Sequence, residues 1–105
     1  MQPMHQKELC PVARVAELLG DECTLLLIRD LLGGTKRFSE LEASLTPISS
    51  RTITNKLKIL EGERIITRTA FKERPPRVEY KLTKQGLRFS GLIEEMRKCG
   101  KLLTR

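Results

Sequence analysis

A chain of 105 residues is long enough for one domain with one modest core and too short for an enzyme fold joined to a substrate domain. Its 39% hydrophobic and 31% charged residues make a globular composition, and 4% aromatic content without Trp requires an aliphatic core. The formal charge of +7 is unevenly divided, with five Lys/Arg against seven Asp/Glu in residues 1–50 and fifteen against six in residues 51–105, which points to an acidic polymer as partner, nucleic acid or an anionic membrane surface, against the plainer reading of a solvated basic surface.

In chain order, residues 1–9 are polar and aperiodic and read as a flexible tail before a single domain over 10–105. Cys10-Pro11 opens a first helix, Pro suiting the first turn, with Val12, Val15, Ala16 and Leu19 as its apolar stripe and Gly20 as its stop. Asp21 caps a second helix whose Leu25, Leu26, Leu27, Ile28, Leu31 and Leu32 cover most of its circumference, so it is expected to be central and to end at Gly33-Gly34. Lys36 to Phe38 fits a very short strand, and a third helix runs from Ser39 to about Leu45. Thr46-Pro47-Ile48 then makes a turn into a fourth helix at about 49–62, capped by Ser49 or Ser50 and buried along Ile53, Leu57 and Leu60, with Gly62 as its end. The periodicity then becomes extended: two strands within about 65–82 flank the basic loop Lys72-Glu-Arg-Pro-Pro-Arg77 and form a hairpin. Thr83 caps a last helix over about 83–103. The fold class is mainly α with a small β-hairpin.

The fourth helix carries the main functional signal. Burying Ile53, Leu57 and Leu60 turns Arg51, Asn55 and Lys58 outward, flanked by Thr52 and Thr54. Arg reads guanine, Asn reads adenine and Thr meets a thymine methyl, while Ser49 and Ser50 at the helix start suit a phosphate. No acidic residue occurs between Glu42 and Glu61, so the first three turns are free of local repulsion. A preceding helix and turn make a helix-turn-helix, and the hairpin supplies a wing whose Arg68, Lys72, Arg74 and Arg77 suit phosphate or minor-groove contact. Taken alone, that hairpin also fits a solvated edge protected by charge and proline.

These stretches resemble the HxlR-type winged helix-turn-helix regulators, relatives of the MarR type. The resemblance lies in Cys10-Pro-Val-Ala-Arg, in Leu18-Leu-Gly-Asp-Glu-Cys-Thr-Leu-Leu-Leu-Ile-Arg-Asp-Leu31, in Arg37-Phe-Ser-Glu-Leu, in Ile48-Ser-Ser-Arg-Thr-Ile-Thr, and above all in Pro75-Pro-Arg-Val-Glu-Tyr-Lys-Leu-Thr with Gly86. It covers about residues 10–100 and implies a winged helix-turn-helix with extra N- and C-terminal dimerisation helices. It further implies a homodimer on a palindromic operator in double-stranded DNA, without metal, cofactor or catalysis. Cys23 stands where the family usually has Trp. The residues themselves also favour a dimer: Val12 and Val15 on the first helix, and Phe89, Leu92, Ile93, Met96 and Leu103 on the last, need a covering surface.

Cys10, Cys23 and Cys99 are odd in number and widely spaced, which fits neither a disulfide framework nor a metal site. Some members of the resembled family use a cysteine equivalent to Cys10 as a thiol switch, and a thiol at a helix N-terminus has its thiolate stabilised by the dipole. Cys10 is therefore a candidate sensor for a redox or small-molecule effector, against the simpler reading of a small packing residue. No apolar run nears the ~20 residues that span a bilayer and the N-terminus lacks a signal-peptide core, so a cytoplasmic protein with no membrane partner is expected. The rival function is a nucleic-acid-binding or protein-interaction module that uses the same basic face without sequence preference. An enzyme has little support: His5 is the one histidine, and no phosphate loop or metalloprotease motif occurs.

Overall fold

A computed structural model describes residues 10–103, so the expected tail at 1–9 lies outside the described residues. Helices α1 (Pro11–Leu19) and α2 (Glu22–Leu32) are followed by strand β1 (Lys36–Arg37), α3 (Phe38–Ser44) and α4 (Ser50–Gly62). Strands β2 (Ile66–Phe71) and β3 (Arg77–Leu82) come next, then α5 (Lys84–Leu87) and α6 (Ser90–Leu102). The architecture is a winged helix-turn-helix: α3 and α4 are the two helices, and β2–β3 is the wing.

Side-chain caps start four of the helices. Cys10 Sγ accepts from the Ala13 amide at 3.4 Å, and Asp21 accepts from both the amide and the hydroxyl of Thr24 at 2.9 Å. Ser49 accepts from the Thr52 amide at 3.2 Å and Thr83 from the Gly86 amide at 3.1 Å. Each satisfies a donor that the first helical turn leaves without an internal partner.

The core is one aliphatic cluster. Leu27, Ile28 and Leu31 of α2 sit at its centre against Leu41, Leu45, Ile53, Leu57 and Leu60 of the helix-turn-helix, and Ile66, Tyr80 and Leu82 close it from the sheet. The wing is more than a hairpin, because β1 adds to β3 with Lys36 opposite Tyr80 and Arg37 opposite Glu79, giving the strand order β1-β3-β2. The short strand therefore stops at Arg37, and Phe38 already begins α3.

Two expected helix ends are displaced. Gly62 lies inside the last turn of α4, and Arg64, at φ 61°, is the left-handed residue that ends it. The Ile65 amide reaches the Leu60 carbonyl at 2.9 Å and the Arg64 amide reaches Glu61 at 3.0 Å, the two bonds of a Schellman cap. The single last helix expected over 83–103 is broken in two. Gly86 is pressed so closely on the Ile65 backbone that a Cβ there would strike the Ile65 carbonyl oxygen. Arg88 and Phe89 then take three-residue turns, their amides reaching Gln85 and Gly86 at 3.2 and 3.1 Å, before α6 departs.

Candidate nucleic-acid interface

The orientation of α4 follows from its buried stripe. Ile53, Leu57 and Leu60 are fully buried, which leaves Arg51, Thr52, Asn55 and Lys58 exposed on the far side and Thr54 half-buried at the edge next to the wing. The structure thus brings the outward-facing residues read from the sequence onto one surface. Lys56, on the flank toward α2, pairs with Asp21 at 3.4 Å. That contact fastens α4 to the cap of the central helix.

Burial of Asp21 favours its protonated form, but the hydrogen bonds from Thr24 and the nearby Lys56 together outweigh it and hold the carboxyl below its ordinary value. Cys23, beneath this pair, moves the other way: burial foremost and then the Asp21 charge push its thiol up, against a smaller pull from Lys56.

The N-terminus of α4 is less free of acid than its own sequence suggests. Ser50 donates its hydroxyl to the Glu42 carboxylate of α3, so an acidic group stands beside the helix start. Ser49 is likewise occupied, accepting from the Thr52 amide and donating to the Thr52 hydroxyl at 3.0 Å. Expectation and structure differ here because Glu42 is eight residues away in sequence but folded against the turn.

The wing divides its cations into two kinds. Arg68 on β2 and Lys72 and Arg74 in the loop are exposed and have no ion-pair partner among the described residues. Arg77, the fourth wing cation expected from the sequence, is engaged within the hairpin. It stacks over the Phe71 ring at 4.0 Å and lies 3.2 Å from Glu73 and 3.3 Å from Glu79. Its Nε is within ion-pair distance of Glu79 without the alignment of a hydrogen bond. Arg77 therefore braces the hairpin across its two strands.

One tie fixes the wing to α4. Thr83, after β3, donates its hydroxyl to the Arg64 carbonyl at 2.7 Å, and its amide reaches the Ile65 carbonyl at 3.0 Å. With Gly86 packed on the same carbonyl, the end of the wing is bonded to the residues that end α4. The sequence signal was there in Thr83 and Gly86 of the resembled motif, whereas the roles of Lys56 and Glu42 depend on contacts between elements and that of Arg77 on how its own hairpin folds.

A separate apolar groove of about 520 Å³ runs between α1 and the start of α6, lined by Val12, Val15, Phe89 and Leu92 among others. Val12 is 76% exposed, and Met96 and Leu103 are also open. Ile93 departs from the expected surface stripe: at 7% exposure it belongs to the protomer's own core and has little surface left for a partner. Leu103 lies just past α6 in extended backbone. Cys10 is half-buried, Cys23 buried and Cys99 exposed, and all are free thiols. Among the described residues no group of acidic, His or Cys side chains could hold a metal ion, and no helix is long and apolar enough to cross a membrane.

Comparison with known proteins matches the same regions. A family model described as HxlR-like helix-turn-helix matches residues 18–105. The chain is 36% identical over 96 residues to the uncharacterized HTH-type transcriptional regulator YvaP of Bacillus subtilis (strain 168), covering 90% of this chain and 89% of that protein. It superposes on a crystal structure assigned to the MarR family of transcriptional regulators, from Porphyromonas gingivalis W83, with a TM-score of 0.89 and 31% identity over 98% of this chain and all of the other. It also matches the redox regulator HypR in its oxidized form, with a TM-score of 0.85 and 29% identity over 91% of this chain and 99% of that one.

Proposed function

The chain belongs to the HxlR-like helix-turn-helix family of transcriptional regulators, and we propose from its surface that it grips an inverted-repeat operator as a homodimer, α4 reading bases and the wing holding the backbone. The observation that carries this reading is the placement of Arg51, Asn55 and Lys58 on the exposed face of a helix whose other face is buried, beside a wing with three cations that have no ion-pair partner among the described residues. Such a helix can enter the major groove, where Arg and Asn make bidentate contacts to guanine and adenine. Arg68, Lys72 and Arg74 add affinity without choosing sequence.

The second copy covers the apolar groove between α1 and α6. Val12, Val15, Phe89, Leu92 and Met96 supply the contact, and a two-fold axis through it sets two recognition helices on one face of the duplex. Cys10 lies at the start of α1 and so beside this contact. A thiol there that is oxidised to a disulfide, losing two electrons and two protons with a partner thiol to an added oxidant, alters the spacing of the two helices. The similarity to the redox regulator HypR supports this effect of oxidation.

The test is selection of bound duplexes from a random pool by the purified protein, with and without thiol reductant. An enriched inverted repeat with half-site centres about 34–36 Å apart, or a multiple, is the expected result. Enrichment that disappears on oxidation and survives in Cys10→Ser assigns the switch to Cys10. Equal retention of all sequences, varying only with salt, contradicts the operator reading and favours a nonspecific basic module.

A further inference from the structure

On the inner side of the wing, a cleft of about 640 Å³ opens between β2–β3, α4 and the junction of β1 with α3. Arg37, Arg68 and Arg74 line it from three separate parts of the chain, with Thr54 of α4 among them. A fourth arginine, Arg77, also lines the cleft but is paired with Glu73 and Glu79, so Arg37, Arg68 and Arg74 are the ones that concentrate positive potential there. None of the three has an ion-pair partner among the described residues, although Arg29, Arg77 and Arg97 each have one. The nearby carboxylates are already engaged, Glu40 by the Arg37 amide and the other two by Arg77. Glu73, which lines the cleft, and Glu79, which faces Arg37 across the β1–β3 ladder, are both paired with Arg77.

Arg37 is fixed at its backbone. Its amide donates to the Glu40 carboxylate at 2.8 Å, and the residue sits in the strand ladder, so it is presented at a set position on the rim. From this geometry we infer that the cleft takes a phosphate of the DNA backbone and that Arg37 is a DNA-contacting residue beyond α4 and the wing. The inference rests on the reading of the chain as a DNA-binding regulator. A guanidinium fork matches phosphate oxygens two at a time, the Thr54 hydroxyl adds a donor, and the volume admits a sugar–phosphate unit. A contact of this kind contributes affinity and register but carries no base preference.

The experiment is a salt titration of binding for the wild type, Arg37→Ala and Arg37→Lys on a selected duplex and on a random one, together with phosphate-ethylation interference. Removing Arg37 should make the slope of log K against log salt less steep by about 0.9 per phosphate contact, hence about 1.8 for a two-fold dimer. The loss should be equal on both duplexes, and one ethylation-sensitive phosphate per half-site should disappear. Arg37→Lys should retain the slope. An unchanged slope and interference pattern, or a loss confined to the selected duplex, overturns the inference even where the wild type still selects an operator. A wild type without preference between duplexes defeats the operator reading, while the slope on random DNA still decides the role of Arg37. Should Arg37→Ala lower the thermal midpoint, Arg37→Gln keeps the chain length and carries the same expectation.

Discussion

Helix α4 and the wing lie side by side on one face, yet they are held in place by different forces. Helix α4 is anchored from beneath by Ile53, Leu57 and Leu60, all fully buried, so its outward residues are fixed by packing that does not involve them. The wing has a thinner base. Only Ile66, Tyr80 and Leu82 of β2 and β3 are buried, and the far end of the hairpin relies on Arg77 joining Phe71, Glu73 and Glu79. A rigid helix with mixed polar groups suits base discrimination, which needs side chains held to a fraction of an ångström. A braced but slender hairpin with simple cations suits the backbone, where charge counts more than placement.

Breaking the link between the two regions should have the largest effect. Gly86→Ala forces a methyl group into the Ile65 carbonyl, and relief requires the wing to shift away from the end of α4. A loss of about 3 kcal/mol or more is expected, a fall of roughly 10 °C or more in thermal midpoint for a domain of this size. Circular dichroism melting measures it, and a change below 2 °C would show that the contact is slack.

Substitutions that leave the fold intact sharpen the comparison. Arg51→Ala and Asn55→Ala should each cost about 1–3 kcal/mol in binding and relax preference at particular base pairs, whereas Arg74→Ala should weaken all duplexes alike and flatten the salt dependence. Binding to a panel of single-base variants checks this. An equal loss from all three on every sequence would remove the distinction between helix and wing.

The residue between the two regions gives a smaller effect of opposite sign. Arg64 holds a left-handed conformation where glycine is favoured, so Arg64→Gly relieves backbone strain, partly offset by greater freedom in the unfolded chain. A gain of about 0.5 kcal/mol is expected in urea unfolding, and a loss of stability would mean that the Arg64 side chain is itself needed.

The smallest effect concerns Asp21, whose ion pair with Lys56 steadies α4 against α2. Its carboxyl titrates below the ordinary 3.8 in the folded protein, so its contribution is present above that value and is lost as pH falls through the lower, folded value. The pair is partly solvated, which keeps the contribution small. Asp21→Asn should flatten the stability profile below about pH 4 and leave its shape near neutrality unchanged. A variant profile parallel to the wild type throughout would show that the carboxylate contributes nothing.

Much of this was legible where a residue's role is set by its neighbours in sequence. The period of Ile53, Leu57 and Leu60 oriented α4, and Asp21, Ser49 and Thr83 announced their helices by cap chemistry. What was hidden depends on approach from a distance. The break after α5 arises where Gly86 meets Ile65, and Glu42 reaches Ser50 only because α3 folds back over the turn. Ile93 was read as surface because a helical stripe does not say which neighbour covers it, and α2 lies close enough to do so. Arg77 shows a further limit: the sequence of a hairpin does not say which of its cations are engaged with the hairpin's own carboxylates and ring.

The division of labour between helix and wing is tested most directly by one ratio, the affinity for a selected operator over that for random duplex, compared between Arg51→Ala and Arg74→Ala at fixed salt. The ratio should fall about 5- to 150-fold for Arg51→Ala, the equivalent of 1–3 kcal/mol, and stay at the wild-type value for Arg74→Ala. A ratio that falls equally in both variants, or in Arg74→Ala alone, would contradict base reading by α4.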